Sequence, residues 1–183
     1  MSDWKKFFER DPLTCAREMI GCELLVGECG GTIIETEAYC AEGDPACHTF
    51  FRPSARKFVE SHDAGTAYVY FNYGMYWLLN FLVKNEANPA QSGFVLIRAL
   101  APTHGIAQMQ HRRTRTAVKD LCSGPGKLTQ ALAITGTHHG LPLGDSIALR
   151  RTRRLVEIET TPRIGISRAK DYLWRYLLLP QAD

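Results

Sequence analysis

The chain has 183 residues, 45% of them hydrophobic and 22% charged, with a formal net charge of +3. This composition carries no signature of disorder, and the length suits one globular domain spanning residues 1–183. Residues 1–14 lack the apolar stretch of a signal peptide, and no run of about eighteen uncharged apolar residues occurs, so we expect a cytoplasmic protein and neither a secreted nor a membrane protein.

The first predicted elements are a helix and a hairpin. Asp11, Pro12 and Gly21 have the spacing of an N-cap, a first-turn proline and a C-terminal glycine around a helix over 13–20. Two strand-like runs, 22–28 and 31–39, follow, and the glycines at 30–31 predict their turn at Cys29–Gly31.

The middle of the chain predicts a loop and three further strands. Asp44 is placed to cap a short turn that begins at Pro45, whereas the polar residues 52–64 give no clear element. Strands over 66–73 and 75–84 pivot at Asn72-Tyr73-Gly74, and the branched run 93–100 is a strand that Pro102 ends.

Two helices and short strands complete the predicted elements. Residues 103–113 and 127–134 look helical, and short strands fall near 146–150, 156–160 and 171–179. The pattern predicts an α+β fold with a single, mainly antiparallel sheet and surrounding helices.

The stretch 68–77, YVYFNYGMYW, contains six aromatic residues. Because side chains alternate along a strand, Tyr68, Tyr70 and Asn72 share one face, and Val69 and Phe71 share the other. We expect core packing for Tyr68, Val69, Phe71 and Trp77. At the turn, an exposed Tyr73 would be a candidate wedge of the kind that proteins insert between DNA base steps.

The strand over 31–39 carries two carboxylates that could serve as a general base. Alternation places Ile33, Glu35, Glu37 and Tyr39 on one face, with His48 able to fold back over it. A partly buried carboxylate there would suit proton transfer from water, whereas exposed glutamates at a strand end are the alternative. Periodicity does not choose between Glu35 and Glu37.

Basic residues are concentrated in the second half of the chain. Residues 1–91 contain 8 Lys/Arg and 13 Asp/Glu, whereas residues 92–183 contain 14 and 6, with basic runs at 111–119 and 150–154. Such runs are often solvated surface, but two of them together with an aromatic cluster favour nucleic acid. The glycine-rich loop 123–126 before Lys127 could hold a DNA phosphate or simply cap a helix; it lacks P-loop spacing.

The six cysteines show no metal-binding pattern. None forms a Cys-x-x-Cys pair, and a domain of this size needs no disulfides. We expect free thiols, no metal and no cofactor.

Several motifs together resemble the alkyladenine (3-methyladenine) DNA glycosylase family. They are ETEAY, DPACH, YVYFNYGMYWLLN, VLIRAL and LCSGPGKLTQALAI, in the family's order between about residues 10 and 134, and PRIGISRAKDYLWRYL resembles the family's C-terminal strands. The resemblance implies one α/β domain with a curved antiparallel sheet. It also implies hydrolysis of the N-glycosidic bond of alkylated or deaminated purines flipped out of duplex DNA.

The resemblance also assigns roles to positions. Glu37 matches the general base and Glu35 its non-catalytic neighbour, while Arg98 matches an arginine that helps to place the water. Residues matched to the base-binding pocket are Tyr39, His48 and Tyr70, which sandwich the base, and Asn80, which excludes guanine's 2-amino group. Residues matched to the DNA surface are Tyr73, the intercalating side chain, with Met75 and Tyr76. Lys127 is a further DNA-binding candidate from the glycine-rich loop alone and not from the resemblance.

The implied enzyme is a monomer that binds duplex DNA containing damaged purines and needs no cofactor. No lysine lies in or beside ETEAY, DPACH or YVYFNYGMY, so we expect a monofunctional glycosylase that leaves an abasic site. The chain departs from the family over 52–65, which bears on DNA contacts and on the bases accepted. Three alternatives are a non-catalytic module that binds damaged DNA with the same wedge, a base-modifying enzyme acting on RNA, and a structural protein.

Overall fold

The computed structural model describes residues 4–144, 146–152 and 156–180. The α-helices in these residues are α1 (Trp4–Phe8), α2 (Pro12–Met19), α3 (His48–Phe51), α4 (Pro53–Ser61), α5 (Ile106–Arg113) and α6 (Pro125–Ala131). The strands are β1 (Glu23–Val26), β2 (Cys29–Cys40), β3 (Ala67–Asn72), β4 (Tyr76–Val83), β5 (Gly93–His104), β6 (Ile147–Arg150), β7 (Ile158–Thr161) and β8 (Arg175–Leu178).

The described strands form one antiparallel sheet. Its main order is β3-β4-β5-β2-β1-β6, and β8 pairs with both β2 and β7. The predicted α+β class is therefore confirmed. The long strands β2 and β5 lie at the centre of this order, so side chains on both can reach one site.

Hydrophobic residues pack on both faces of the sheet. The larger core contains Phe8, Met19, Phe81 and Val95 and lies against α1, α2, α5 and α6. A smaller cluster, which includes Phe58, Tyr68, Leu82 and Phe94, packs against α4 on the opposite face. Neighbouring residues Phe94 and Val95 belong to different clusters, as alternation along a strand requires. The candidate site lies beside the smaller cluster.

Two predicted local structures are confirmed. The Asp11 side chain accepts a hydrogen bond from the Thr14 backbone N–H at 2.9 Å, with Pro12 opening α2. The β3–β4 hairpin turns at Tyr73, in register with Asn72 opposite Tyr76.

The first hairpin turns earlier than predicted. Val26 pairs with Cys29, so the turn consists of Gly27 and Glu28, with Gly27 at a φ of +57°. Gly31 instead allows close strand approach, because a Cβ there would lie 2.2 Å from the Ala101 carbonyl oxygen.

One segment without a predicted element is a helix, and two other element predictions are wrong in their bounds. Residues 53–61, which gave no clear element, form α4, with Ala55 and Phe58 facing the smaller cluster. Strand β5 continues through Pro102. Strand β4 pairs only with residues Gly93–Leu96 of β5, so on that side of Pro102 none of the described strands is a neighbour to which a backbone N–H would donate. Of the predicted strand over 171–179, only Arg175–Leu178 is a strand, because Tyr172 still belongs to a turn in which its backbone N–H donates to the Ala169 carbonyl.

The predicted common face of Ile33 and the two glutamates is also wrong. Ile33 lies in the larger core, on the face opposite Glu37 and Tyr39. The cause is a bulge: Ile33 pairs with Leu100 and Glu35 with Ala99, which leaves one extra residue on β2.

No helix among residues 4–144, 146–152 and 156–180 is long and apolar enough to cross a membrane. The six cysteines are free thiols, as predicted. Burial raises the pKa of Cys15, Cys40 and Cys122 to about 12.

Candidate active site

A cleft of about 1370 Å³ opens on the sheet face that carries the smaller cluster. Ten residues were predicted to form the site, and eight of them line this cleft: Tyr39, His48, Tyr70, Tyr73, Tyr76, Asn80, Arg98 and Lys127. Glu37 lies behind the lining, bonded to the lining residues Tyr39, Arg98 and Ile164, and Met75 is exposed at the hairpin tip. The structure thus brings side chains from β2, α3, β3, β4, β5 and α6 to one cavity.

Glu37 is fully buried beneath the residues that line the cleft. Its Oε2 accepts hydrogen bonds from the Tyr39 hydroxyl at 2.8 Å and from Arg98 Nη1 at 3.2 Å. Its Oε1 accepts one from the Ile164 backbone N–H at 2.9 Å. The carboxylate is therefore held in one orientation by three donors.

Glu35 has a different environment from Glu37. Its Oε1 accepts from Arg98 Nε at 2.7 Å and from Arg175 Nε at 2.6 Å. Arg98 bridges the two glutamates, so their negative charges are compensated. Glu35 bonds to two guanidinium groups, whereas Glu37 bonds to Tyr39 in the cleft wall, and Glu37 is accordingly the better placed carboxylate for chemistry in the cleft.

An aromatic wall is formed by His48 and Tyr70, whose ring centroids are 4.4 Å apart. His48 Nδ1 lies 3.1 Å from the Tyr68 hydroxyl. Burial, reinforced by the nearby Arg52 cation, lowers the pKa of His48 to about 4. The ring is therefore neutral at neutral pH and can stack on a purine without adding charge.

Tyr39 and Tyr70 remain protonated phenols. Burial raises the pKa of Tyr39 well above its ordinary value, and the neighbouring Glu37 carboxylate raises it further. Burial likewise raises the pKa of Tyr70. Tyr39 therefore stays a hydrogen-bond donor to Glu37.

Asn80 lies at the floor of the cleft and is buried. It pairs with Tyr68 across the β3–β4 ladder, and its Nδ2 donates to the Tyr68 carbonyl at 3.2 Å. This bond fixes the side-chain amide where the edge of a bound base would lie.

The core predictions for the aromatic stretch hold with one exception. Tyr68 and Val69 are buried and Trp77 is half-buried, as predicted. Phe71, predicted to be core, is 49% exposed. It is not part of the larger core, and its ring centroid lies 4.9 Å from that of Trp77, which packs against that core.

The tip of the β3–β4 hairpin presents apolar side chains to solvent. Tyr73 is 81% exposed and has a φ of +50°, and Met75 and Tyr76 are also exposed. The first turn of α6 lies directly beside the tip, because a Cβ on Gly126 would lie 2.7 Å from Tyr76 Cγ. Lys127, in the same turn, donates to Ser123 Oγ at 3.0 Å.

Four arginines that were not assigned to the site line the cleft: Arg52, Arg113, Arg115 and Arg168. Arg113 and Arg115 of the first basic run line the cleft, whereas the described residues of the second run, 150–152, do not. Arg150 and Arg151 are at the other end of the sheet, where they contact Glu23 and the Trp4 and Phe7 rings. Arg153 and Arg154 lie outside the described residues.

The β7–β8 loop, residues 162–174, contributes to the site in a way that the sequence did not indicate. It was predicted to contain strand, but its backbone donates to Glu37 and residues 164–168 line the cleft. The only indication from the sequence was the resemblance of PRIGISRAKDYLWRYL to the family's C-terminal strands, which assigned no site residue to this loop. Within the described residues, no group of three or more His, Cys, Asp or Glu side chains could hold a metal ion.

A family model described as methylpurine-DNA glycosylase matches residues 6–181. The match covers nearly the whole chain, including the strands and loops that build the cleft. The chain belongs to this family, and it is a hydrolase of the DNA glycosylase type.

Individual relatives agree with the family model. A protein of Rhodopseudomonas palustris named "Putative 3-methyladenine DNA glycosylase" is 46% identical over 93% of this chain and 81% of its own length. Proteins of the same name from Agrobacterium fabrum and Prosthecochloris aestuarii are 46% and 41% identical, over 94% and 93% of this chain and 86% and 85% of their own lengths.

Proposed function

We propose that this protein excises alkylated purines, 3-methyladenine and 7-methylguanine above all, from duplex DNA, and that deaminated purines are slower substrates. The damaged nucleotide is flipped into the cleft, stacked between Tyr39 on one side and His48 and Tyr70 on the other. The observation that carries the proposal is the buried Glu37 carboxylate, which three donors orient beside this aromatic wall.

The reaction in this proposal is hydrolysis. Glu37 accepts a proton from water as the water oxygen bonds to the sugar C1′, while the bond from C1′ to the purine nitrogen breaks and its electron pair leaves with the purine. The negative charge of Glu37 also stabilises the positive charge that develops on the sugar. The products are the free base and an abasic site.

The preference for alkylated purines follows from the groups in the cleft. A 3- or 7-alkylated purine is already cationic, so it departs as a neutral base without an acid. A neutral purine such as hypoxanthine needs a proton. No Asp or Glu is among the described residues that line the cleft, and the raised pKa of Tyr39 and Tyr70 makes those phenols poor acids.

The test is base release under single-turnover conditions from duplexes that each contain 7-methylguanine, hypoxanthine or ethenoadenine, and from alkylated DNA for 3-methyladenine. Glu37→Gln should lower the rate about 10²- to 10⁴-fold, the usual range for loss of a general base. Glu159→Gln is the matched control, an exposed glutamate on β7, and should leave the rate unchanged.

The outcomes separate the proposal from its alternatives. If the parent protein binds damaged duplex but releases no base, the protein is a binding module. Preferential processing of RNA over duplex DNA would instead favour a base-modifying enzyme acting on RNA. If Glu35→Gln abolishes release while Glu37→Gln does not, the assignment of the base to Glu37 is wrong.

We further propose that the enzyme is monofunctional, acts as a monomer and works inside the cell. Lys127 is the lysine among the described lining residues, and its Nζ is engaged with Ser123 on the α6 side of the cleft. Borohydride reduction during turnover should trap no protein-DNA adduct. An adduct that disappears in Lys127→Met would overturn this and identify the nucleophile.

A further inference from the structure

A buried ion pair lies directly behind the cleft and takes no part in the proposed reaction. Arg163 Nη1 and Nη2 donate to the two oxygens of Asp44 at 2.7 and 2.8 Å, and both side chains are fully buried. The two residues are 119 positions apart and belong to different loops. The pair therefore ties the β7–β8 loop to the loop that follows β2.

Asp44 fixes the approach to His48. Its Oδ2 accepts from the Cys40 backbone N–H at 3.2 Å and its Oδ1 from the Ala46 backbone N–H at 3.1 Å. The turn that leads into α3 is thus anchored at both ends by one carboxylate. His48 is the first residue of that helix, so its ring position depends on this turn.

Arg163 fixes the other wall of the cleft. Its Nη1 also donates to the Ala38 carbonyl at 2.9 Å, between Glu37 and Tyr39 on β2. Its guanidinium lies 4.6 Å from the centroid of the Tyr39 ring, and 5.0 Å from that of Trp174. Since Arg163 does not line the cleft and Tyr39 does, the cation supports the ring from behind.

The next residue connects this anchor to the general base. Ile164 is the residue whose backbone N–H donates to Glu37 Oε1 at 2.9 Å. A backbone donor one residue from a buried guanidinium that makes three hydrogen bonds has little freedom to move. The same ion pair therefore determines the position of the Glu37 carboxylate, the Tyr39 ring and the His48 loop.

We infer that Arg163 and Asp44 form a positioning pair for base excision, acting through Ile164, Tyr39 and the His48 loop. The inference rests on the proposed function. Stability alone is a weak reason for such a pair, because apolar or neutral replacements of buried ion pairs are often as stable, whereas removal of one partner leaves a buried unpaired charge. The role in positioning and a role in folding are therefore separable by experiment.

The experiment compares Asp44→Asn, Arg163→Gln and the double variant with the parent. Each single variant leaves one charge buried and unpaired and should lose stability. The neutral double variant should recover much of the parent's melting temperature. It should bind lesion duplex within about threefold of the parent, yet release base about ten- to a hundredfold more slowly, the scale of a misplaced reacting group. The control is Arg10→Gln with Glu18→Gln, a bidentate pair between the segment before α2 and α2 itself, outside the cleft lining, and should change neither rate nor affinity.

A second readout needs neither DNA nor activity. Trypsin cleavage after Arg168 and Lys170, both in the β7–β8 loop, should be faster in the double variant than in the parent and in the control. A parent that releases no base would overturn the proposed function, while the trypsin result would still decide whether the pair anchors the loop. A folded double variant with the parent's release rate would overturn the positioning role, as would a rate loss matched by an equal loss of affinity.

Discussion

Tyr73→Gly should have opposite effects on stability and on DNA binding: we expect the free energy of unfolding to rise and the affinity for damaged duplex to fall. With a φ of +50°, this non-glycine residue occupies a left-handed conformation, which costs about 1–3 kcal/mol. Glycine relieves that strain but adds about 0.5–1 kcal/mol of unfolded-state entropy. Because the side chain is 81% exposed, little packing is lost. We expect the free energy of unfolding to rise by about 1 kcal/mol and the melting temperature by about 2–4 °C.

The same change should weaken binding to damaged duplex. If Tyr73 fills the gap left by the flipped purine, its loss removes stacking worth about 1–3 kcal/mol. The corresponding fall in affinity is about 5- to 150-fold. Thermal melts and urea unfolding measure the stability, and fluorescence anisotropy with lesion-containing and undamaged duplexes measures the binding.

Ala133→Gly is the matched control. Ala133 also has positive φ, at +56°, and is exposed, but it is not among the described cleft-lining residues. It should gain similar stability with unchanged affinity. The reasoning about strain fails if Ala133→Gly gains stability and Tyr73→Gly loses it, and the wedge fails if Tyr73→Gly keeps full affinity for the lesion.

Three further predictions concern His48, Arg98 and Gly126. The pKa of His48 is about 4 in the folded protein and 6.5 in the unfolded chain, so as the pH falls the unfolded chain takes up the proton at a higher pH than the folded protein does. The free energy of unfolding should therefore fall by up to about 3 kcal/mol between pH 6.5 and 4. In urea unfolding across this range, His48→Gln should show a flatter pH profile than the parent, and parallel profiles would contradict the lowered pKa. Arg98→Met leaves the buried Glu37 without a cationic partner and Glu35 with Arg175 alone, so it should cost about 3–5 kcal/mol in urea unfolding, whereas Arg10→Met, at a half-exposed ion pair, should cost under about 1 kcal/mol; equal losses would argue against burial as the cause. Gly126→Ala places a Cβ 2.7 Å from Tyr76 Cγ, so the ring should move and affinity for duplex should fall in anisotropy measurements, without the large stability loss that a backbone clash would cause.

Local patterns predicted the parts of the fold that local interactions determine. Alternation along β3 separated Tyr68 and Tyr70 from Val69, and the turn at Tyr73-Gly74 followed from one glycine. These predictions need only neighbouring residues, because the period of a strand and the conformational freedom of glycine are properties of short segments.

The failures occurred where the period is interrupted or the pattern is sparse. The bulge after Ile33 places Ile33 and Glu35 on opposite faces of the sheet, although simple alternation would place them on the same face. No residue type in that run indicates an unpaired position. Helix α4 was missed because only Ala55 and Phe58 of its nine residues are buried, too few to show a helical repeat.

The candidate site was predictable only in part for a related reason. The residue types on β2 and β3 indicated proton transfer and stacking, and the family resemblance gave each a role. Arg163 and Asp44 were not predicted to meet, since 119 residues separate them and neither lies in a periodic element. Contacts between loops depend on the assembled sheet, which no local pattern contains.

The hydrogen bonds of Glu37 also constrain how water reaches it. The carboxylate is fully buried, so one of the groups around it has to move before an attacking water can reach it. Ile164 donates from the backbone of a loop that the ion pair of Arg163 and Asp44 anchors. Arg98 is held by its bond to Glu35. The Tyr39 hydroxyl is the remaining donor, and it belongs to the ring on which the flipped purine is proposed to stack. A purine that shifts this ring would expose Oε2 to water, so binding of the base and activation of the carboxylate would be coupled. Such coupling would keep Glu37 inactive toward duplex in which no base has been flipped.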